Sequence, residues 1–482
     1  MKKQNYSWLA LGLVFALCLG GFLVNCTGNG TVQNGDNGQN GQNVTATSAP
    51  FNITNNFAQD ASTGFLAQWH NAANVSTQKL QIVEKGGDFA TAQTITVTGR
   101  LFEGSSVQGG TNVGNYTARN VFRAEVNGLE PDTEYEYRMG DDGYWSQTFY
   151  HRTSTSTGGT FANFSFTVVT DPQDDPSGGH RAMGTTLEAA AAFDADNRFF
   201  LMAGDIVNDT GKQPRELENY TTQANKVNIR TPIAATQGNH DTYHNISAND
   251  QYRFNEGRAY NAFVTFPGNG HQFETDTTMR LSHSYYFYYN EVLFISLNTM
   301  FAESNQTAQL NWFRGVLQKD KDEGLSKYII VFTHVSPFSP RDFDRWLADQ
   351  SYQYAKVATD FNVDIYFSGH DHMYARSNPI KLEHATMGRG NAAHWDRINW
   401  GVTPNGTVLS VVSATGPKFY FTRLGDNLQR GRTAYPAISE TEAEQRPGMF
   451  VNVKATADKL TVEAWVVGAA TPYDTYEVPA KR

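Results

Sequence analysis

The sequence has no excess of positive charge. Its 482 residues include 38 Lys and Arg against 48 Asp and Glu, which gives a formal net charge of −10. Nucleic acids and anionic membrane surfaces attract proteins chiefly through Lys and Arg, so this balance argues against either as a partner. The hydrophobic fraction of 39% is ordinary for a soluble protein, and the length is sufficient for two or three domains.

Cysteine is nearly absent, with Cys18 and Cys26 as the two examples. Cys18 lies inside an uncharged apolar run, residues 8–24, which follows two lysines in the layout of a secretory signal. If that signal is removed, Cys26 is the single thiol left and has no partner for an internal disulfide. The segment 1–26 resembles a bacterial lipoprotein signal, whose cysteine becomes the lipidated first residue.

Residues 27–49 have few apolar side chains and are rich in Gly, Asn and Gln. Such a composition cannot bury a core and is typical of a flexible tether. Signal and tether together predict an extracytoplasmic, lipid-anchored protein, periplasmic or at the cell surface, whose membrane contact is the anchor alone. Because the 17-residue apolar run is also just long enough for a short membrane span, an uncleaved anchor is one alternative and plain secretion another.

Short apolar runs with alternating polar residues and frequent turns predict antiparallel strands over residues 50–157. Trp69 lies in an early strand, and Tyr135 and Tyr137 share one strand face at period 2. The spacing from Leu129 to Tyr135 resembles a tyrosine corner. We therefore expect an all-β, fibronectin type III-like sandwich that serves as a packing module without chemistry of its own.

From residue 160 to the end of the chain at 482, strand-like runs alternate with helical stretches, which predicts an α/β sandwich. Strands are expected at 164–170, 199–203, 232–236, 291–297, 328–333, 363–367 and 406–412, helices at 185–195 and 307–318, and a closing hairpin at 450–453 and 459–467. Ligands in such folds bind beyond the carboxyl ends of the strands.

Polar side chains stand at just those ends. They are Asp171, Gln173, Asp205, Asn239, His334, His370 and His372. Taken singly, the aspartates could cap helices and the asparagine could serve a turn. Taken together, two carboxylates, two amides and three imidazoles are too many ligands for one ion. They suit two ions bridged by a carboxylate, the arrangement that supports phosphoryl hydrolysis. The mixed nitrogen and oxygen shell favours Fe, Mn or Zn over Ca or Mg.

In this order, the segments Asp-x-Gln, Gly-Asp, Gly-Asn-His-Asp, Thr-His and Gly-His-Asp-His resemble the calcineurin-like metallophosphoesterases. The sandwich in front and the segment 369–377 resemble the purple acid phosphatase branch. This resemblance spans residues 60–475 and implies a phosphorylated small molecule as substrate.

The resemblance also implies a role for each residue. One metal would be held by Asp171, Gln173, Asp205 and His372, and a second, bridged by Asp205, by Asn239, His334 and His370. His240 would stay off the metals and contact the phosphoryl oxygens or protonate the leaving group. A metal-bound hydroxide would be the nucleophile. For Tyr374 and Arg376, a role in the site and a structural role below it are equally consistent with the sequence.

The sequence departs from that branch at three places. Asn208 stands where purple enzymes carry a tyrosine, and Gln173 stands where many relatives carry histidine. With fewer anionic ligands, the first site should prefer a divalent ion to ferric iron. A histidine pair known from plant members is missing near residues 337–342, so their substrate preference is not transferred. The insertion at 381–447 is either a lid over the site or a passive surface loop.

These observations predict an extracytoplasmic enzyme that hydrolyses phosphomonoesters or nucleotides with two divalent ions (Mn, Zn or Fe). Two alternatives stay open. One is a phosphodiesterase on the same fold, and the other is a surface binding module whose phosphatase-like domain is inactive. Turnover of aryl monoesters against diesters separates the first, and a preparation without metal would favour the second.

Overall fold

The computed structural model describes residues 49–102, 118–173, 178–208, 214–241, 260–271, 284–300, 303–337, 345–382, 400–416, 418, 432–434 and 448–481. The predicted signal with Cys26, and all but the last residue of the predicted tether, lie outside these residues. Much of the insertion at 381–447 also lies outside them, so neither interpretation of it is tested. Among the described residues, no helix is both long and apolar enough to cross a membrane.

The first domain consists of two antiparallel sheets that face each other. Its strands are β1 (Phe51–Phe57), β2 (Gly64–Ala72), β3 (Thr77–Glu84), β4 (Gln93–Thr98), β5 (Arg100–Phe102), β6 (Arg119–Asn127), β7 (Glu134–Gly140) and β8 (Phe149–Arg152). One sheet has the order β1-β2-β6-β5 and the other β4-β3-β7-β8. Trp69 and Tyr137 are fully buried between them. The Tyr135 hydroxyl accepts a 2.8 Å hydrogen bond from the backbone N–H of Glu130, which is the contact that a tyrosine corner requires.

The second domain is the α/β sandwich that the sequence predicts. Its strands are β9 (Phe164–Val169), β10 (Asn197–Met202), β11 (Ile233–Ala235), β12 (Tyr285–Tyr289), β13 (Val292–Leu297), β14 (Tyr328–Thr333), β15 (Ile365–Ser368), β16 (Ala375–Ser377), β17 (Ile380–Leu382), β18 (Trp400–Val402), β19 (Val408–Val411), β20 (Arg432–Ala434), β21 (Met449–Ala455), β22 (Lys459–Val466) and β23 (Asp474–Pro479). Its helices are α1 (Gly178–Phe193), α2 (Pro214–Asn228), α3 (Glu303–Glu323) and α4 (Arg345–Asp360).

These strands form two large sheets and one small ribbon. The six-stranded sheet has the order β11-β10-β9-β21-β22-β23, and the seven-stranded sheet has the order β12-β13-β14-β15-β19-β16-β20. Strands β11, β10 and β9 run parallel, and so do β13, β14, β15 and β19. The remaining pair, β17 and β18, is antiparallel.

Aromatic side chains fill the space between the two large sheets. Phe166 and Phe199 of the six-stranded sheet stack 5.4 Å apart, and each meets the edge of Phe294 from the other sheet at 5.1 to 5.2 Å. Phe57 of the first domain joins this core, with its ring 5.1 Å from that of Phe287. Phe57 thus buries its ring in the core of the second domain, while the first domain keeps a core of its own around Trp69 and Tyr137.

Helices cover the outer faces of both sheets. Met183 and Leu187 of α1 and Leu217 of α2 pack against the six-stranded sheet, while Leu310 and Phe313 of α3 pack against the other. Helix α3 extends beyond the predicted stretch at both ends. The sequence reasoning did not identify α2 and α4, although Leu217, Tyr220, Ala224 and Val227 repeat at helical spacing and are buried. The two strands of the predicted closing hairpin are present as β21 and β22, and β23 pairs with β22 as a third strand.

Candidate metal centre

Side chains from both large sheets meet at one edge of the second domain. Strands β9, β10 and β11 end just before Asp171, Asp205 and Asn239, whereas β14 and β15 end just before His334 and His370. Parallel strands bring their carboxyl ends to the same edge of a sheet, and the two sheets face each other. Residues far apart in the sequence therefore lie within a few ångströms.

The tightest group contains Asp205, His334 and His370, whose ligand atoms all lie within 4.8 Å of one another. Oδ2 of Asp205 is 3.1 Å from Nε2 of His334. Asn239 completes the group, because its Oδ1 lies 3.0 Å from Nε2 of His334 and 2.9 Å from Nδ1 of His370. One carboxylate, one amide oxygen and two imidazole nitrogens thus converge on one point, as ligands of a single transition-metal ion do.

A second group contains Asp171, Gln173 and His372. Nε2 of His372 lies 3.5 Å from Oδ1 of Asp171 and 3.1 Å from Nε2 of Gln173. The same amide nitrogen lies 3.1 Å from Oδ2 of Asp205, so this carboxylate touches both groups. All four side chains are buried.

The amide of Gln173 fits a metal ligand in one particular way. Its Oε1 is buried without a hydrogen-bond partner among the described residues. The two ends of a carboxamide have the same shape, and a half-turn exchanges them. After this exchange the oxygen would lie where Oδ2 of Asp205 and Nε2 of His372 converge, and it would become a ligand. The residues present therefore fit two ions that share Asp205.

Four of these residues have backbone conformations that non-glycine residues rarely adopt. The φ angles are 50° at Asp171, 51° at Asp205, 72° at His370 and 51° at His372. Left-handed conformations at non-glycine residues cost free energy and cluster at functional sites. All four residues belong to the two groups described above.

Two glycines make room for the carboxylates. A Cβ atom at position 238 would lie 2.2 Å from Oδ1 of Asp205, and one at position 369 would lie 2.6 Å from Oδ2 of Asp171. Such distances are far below van der Waals contact. Gly238 and Gly369 are therefore required by space, in addition to any need for a tight turn.

Backbone carbonyls fix the tautomers of three histidines. Nδ1 lies 2.8 Å from the Ala203 oxygen in His334, 2.7 Å from the Lys418 oxygen in His372, and 2.6 Å from the Asn208 oxygen in His240. A carbonyl can only accept, so each Nδ1 carries the hydrogen. Each Nε2 is thereby directed toward the carboxylates, the usual arrangement of a ligating histidine. His240 differs in that its Nε2 lies 4.0 Å from Oδ2 of Asp205, beyond contact.

Two buried carboxylates side by side demand positive charge. Burial raises the pKa of Asp171 to about 7, and the charge of Asp205 contributes to that rise. Burial alone would also raise the pKa of Asp205, but the neighbouring His334 and His240 hold it well below its usual range. For His334, burial would lower the pKa, whereas Asp205 raises it to about 10. Two buried carboxylates thus favour a positive charge beside them, a condition that a bound cation would meet.

Asp241 is a residue of this site to which the sequence reasoning gave no role. Its carboxylate accepts hydrogen bonds from the N–H groups of Gly238 at 2.7 Å and Val207 at 3.2 Å. These bonds hold the loop that carries Asn239 against the loop that carries Asp205. Burial raises its pKa to about 8. Its position directly after His240 in Gly-Asn-His-Asp was the available signal.

Of the other singled-out residues, Tyr374 donates a hydrogen bond from its hydroxyl to Asp474, and Arg376 binds the same carboxylate. His180 is buried and its Nε2 lies 2.7 Å from the Ile206 oxygen. Residues 338–342 lie outside the described residues.

Residues 164–374 match the family model of the calcineurin-like phosphoesterases, and residues 50–153 match the N-terminal domain of purple acid phosphatases. No curated protein sequence matches the chain. The purple acid phosphatase PPD1 from seeds of yellow lupin (Lupinus luteus) is structurally similar, with a TM-score of 0.67 and 15% identity, over 90% of this chain and 74% of that one.

A structure of PhoD is also similar, with a TM-score of 0.57 and 11% identity, over 89% of each chain. At these identities, the likeness establishes the fold alone. The predicted fold class is confirmed, and so is the resemblance on which the residue roles depend. The more specific fibronectin type III assignment stays a prediction.

Proposed function

We propose that this chain is a metal-dependent phosphoesterase that releases phosphate from monoesters or nucleotides with two ions. Its match to the calcineurin-like phosphoesterase model, behind a match to the purple acid phosphatase N-terminal domain, supports this proposal. The observation that carries this proposal is the position of Asp205. Its Oδ2 lies 3.1 Å from both His334 and Gln173, which belong to the two different ligand groups. One carboxylate oxygen between two ligand sets is what a bridged pair of ions requires.

When bound, the ions would supply positive charge that activates water and stabilises the charge developing on the phosphoryl group. Asp171, Gln173, Asp205 and His372 would hold one ion, and Asp205, Asn239, His334 and His370 the other. Gln173 is neutral and Asn208 cannot form a tyrosinate. This ligand set supports divalent Mn, Zn or Fe in preference to ferric iron.

His240 is proposed as the residue that acts on the substrate itself. Its backbone N–H donates a 2.8 Å hydrogen bond to Oδ1 of Asp205, and Nδ1–H is held by the Asn208 carbonyl. The ring is therefore fixed beside the centre, and its Nε2 stays off the ligand atoms. From there, Nε2 can contact a phosphoryl oxygen or pass a proton to the leaving group.

The direct test is a panel of substrates on the purified full chain, with metal content measured in the same samples. We expect turnover of aryl phosphomonoesters or nucleotides to exceed that of diesters, with about two ions bound per chain. Removal by a chelator should abolish activity, and Mn, Zn or Co should restore it. Faster diester turnover would make the protein a phosphodiesterase. A protein that binds no metal and turns over neither class would be a binding module instead.

We also propose that the enzyme acts outside the cytoplasm, anchored by lipid at Cys26. The support is sequence alone: a basic start, an apolar run, a cysteine, and a tether of Gly, Asn and Gln. The anchor is then its membrane contact, and no nucleic acid partner is expected. A Cys26→Ser variant should leave the detergent-extracted membrane fraction. An intact-mass measurement that finds wild-type Cys26 unmodified would refute the lipid anchor.

A further inference from the structure

A carboxylate on the last strand reaches the segment that follows His372. Asp474 is the first residue of β23, and its Oδ2 accepts hydrogen bonds from the Tyr374 hydroxyl at 2.9 Å and from Nε of Arg376 at 2.5 Å. Its Oδ1 accepts a third from Nη2 of Arg376 at 3.3 Å. The guanidinium therefore binds the carboxylate through two nitrogens, the geometry of the strongest side-chain ion pairs.

Aromatic rings shield this ion pair from water. The Arg376 guanidinium lies over the ring of Tyr476 at 4.5 Å, and the rings of Tyr374 and Tyr473 meet edge to face at 6.2 Å. Tyr374 is 5% exposed and Asp474 is 7% exposed. Removal of one partner would leave the other charge buried without compensation, so loss of either residue should destabilise the cluster.

The cluster joins the two large sheets. Asp474 pairs with Ala464 of β22 and so belongs to the six-stranded sheet. Arg376 lies in β16, which pairs with β19 of the seven-stranded sheet. Because the ligands of the candidate centre come from both sheets, a link between the sheets at this point also fixes the distance between ligands.

The segment between β15 and β16 (residues 369–374) contains the strained residues His370 and His372. Its first part is held by two bonds: the N–H of Gly369 donates to the His334 oxygen at 2.8 Å, and the N–H of His370 donates to Asp171. Its end is held by the hydrogen bond from Tyr374 to Asp474. Left-handed backbone at non-glycine residues persists where the surroundings hold it, and loss of a restraint allows it to relax.

We propose that Asp474 is a positioning residue that holds His372 in its ligand conformation through Tyr374 and Arg376. The inference rests on the proposed two-ion site for its effect on activity. Asp474 touches neither the substrate nor the ligand atoms; it acts on the segment that carries them. Since the start of the segment has its own restraints, the effect should fall on the ion held by His372 more than on the ion held by His334.

The test is Asp474→Asn in the full chain, which keeps the shape but replaces one acceptor oxygen by a donor. The first readout is hydrogen exchange of the peptide covering residues 369–374, which needs no activity. The second is the Mn concentration that restores half-maximal turnover to metal-free protein. We expect faster exchange in this peptide and a Mn requirement about 10 to 100 times higher, the usual cost of removing such a support. At saturating Mn, kcat should approach that of the wild type.

Asp364→Asn is the matched control. Asp364 is also buried and ion-paired, 3.2 Å from Nζ of Lys481, but it precedes β15 at the end of the strand opposite His370. Its loss should lower thermal stability without a change in the Mn requirement. If Asp474→Asn does not fold, Tyr374→Phe removes one of the three bonds and should give a smaller shift in the same direction.

An Asp474→Asn protein with unchanged exchange at residues 369–374 and an unchanged Mn requirement would overturn the proposal. Equal shifts in both Asn variants would also overturn it, because they would mean general destabilisation. If the wild type itself neither binds metal nor hydrolyses phosphoesters, the proposed function fails. The exchange measurement then still decides whether Asp474 holds the segment.

Discussion

Oδ2 of Asp205 lies 3.1 Å from Nε2 of His334, and the two residues follow strands of different sheets. Asp205 follows β10 of the six-stranded sheet, and His334 follows β14 of the seven-stranded one. The site is therefore built across the sandwich, and its geometry depends on how the sheets face each other.

Asp205→Asn should abolish metal-dependent turnover while the protein stays folded. An amide keeps the size of the side chain but removes the charge that both ligand groups share. We expect kcat to fall by more than about 100-fold, with loss of at least one ion. Elemental analysis and a thermal melt of the same sample check this. Asp360→Asn, at an exposed position paired with Lys356, is the control and should behave as the wild type. Normal turnover with two ions in Asp205→Asn would refute the bridge.

His240→Asn should separate chemistry from metal binding. The ring nitrogen Nε2 is held near the centre but is not among the converging ligand atoms. Loss of a proton donor or phosphoryl contact costs about 10² to 10⁴-fold in rate. We expect that loss in kcat with an unchanged metal content. A variant that loses its ions together with activity would place His240 among the ligands instead.

Gly369→Ala should disturb the centre through space alone. The added Cβ would lie 2.0 Å from Oγ1 of Thr170 and 2.6 Å from Oδ2 of Asp171. We expect the free energy of unfolding to fall by about 1–3 kcal/mol, with loss of metal as Asp171 moves. Gly315→Ala in α3 is the matched control, because nothing lies within 4 Å of its Cβ position. That change should stabilise the protein by about 0.5–1 kcal/mol. Denaturant titration and metal analysis of both variants compare them.

Two histidines near the domain junction should make the fold sensitive to acid. Nε2 of His70 lies 2.5 Å from the Ala262 oxygen, and its Nδ1 accepts from the Asn52 amide at 3.2 Å, so the neutral ring is fully bonded. His151 stacks on Phe65 at 4.3 Å, and its Nε2 has no hydrogen-bond partner in the part of the chain that the structure describes. Burial lowers the pKa of each histidine to about 3.

The folded pKa thus lies below the unfolded value of 6.5, and the unfolded state binds more protons between these limits. Stability is fully present above pH 6.5 and should fall toward pH 3, by about 1.4 kcal/mol per pH unit for each histidine. Urea unfolding at pH 7, 6 and 5 measures this slope. His151→Phe keeps the stacking on Phe65 and should remove one histidine's share of the slope. An identical slope in the variant would mean that His151 is not buried neutral.

The active enzyme should be colourless. Ferric iron bound to a tyrosinate absorbs visible light by charge transfer, and a carboxamide such as that of Asn208 has no comparable donor orbital. Tyr374, the nearest tyrosine in the sequence to the ligand histidines, donates its hydroxyl to Asp474. Visible spectra recorded while metals are removed and Mn, Zn or Co is added back should stay featureless for Mn and Zn as activity returns. A purple band lost together with activity would contradict the divalent assignment.

Local sequence was sufficient to predict most of the candidate site. Asp171, Asp205, His334 and His370 each follow a short apolar strand, and both the strand and its polar end can be read from neighbouring residues. Within each sheet, parallel strands then bring these ends to one edge. The five motifs and their order therefore indicated which side chains meet, although the sequence provides no distances between them.

Contacts between distant segments were not predictable in this way. Nothing in the sequence around Asp474 indicates that it binds Arg376, because that pair exists only where the last strand of one sheet faces a strand of the other. The tautomer of His372 is fixed by the backbone carbonyl of Lys418. Because every residue has such a carbonyl, the identity of residue 418 does not reveal this contact. The sequence places Phe57 in the first domain, yet its ring lies in the core of the second domain.

The sequence by itself thus determined the fold class and the places of the candidate ligands at strand ends, since these depend on short-range periodicity and turn chemistry. The tertiary structure alone decided that Asp205 stands between the two groups of side chains, that a Cβ atom does not fit at Gly238 and Gly369, and that Asp474 binds Tyr374 and Arg376. Those features depend on how two sheets twist and face each other, and many residues distributed over the whole chain determine that geometry together.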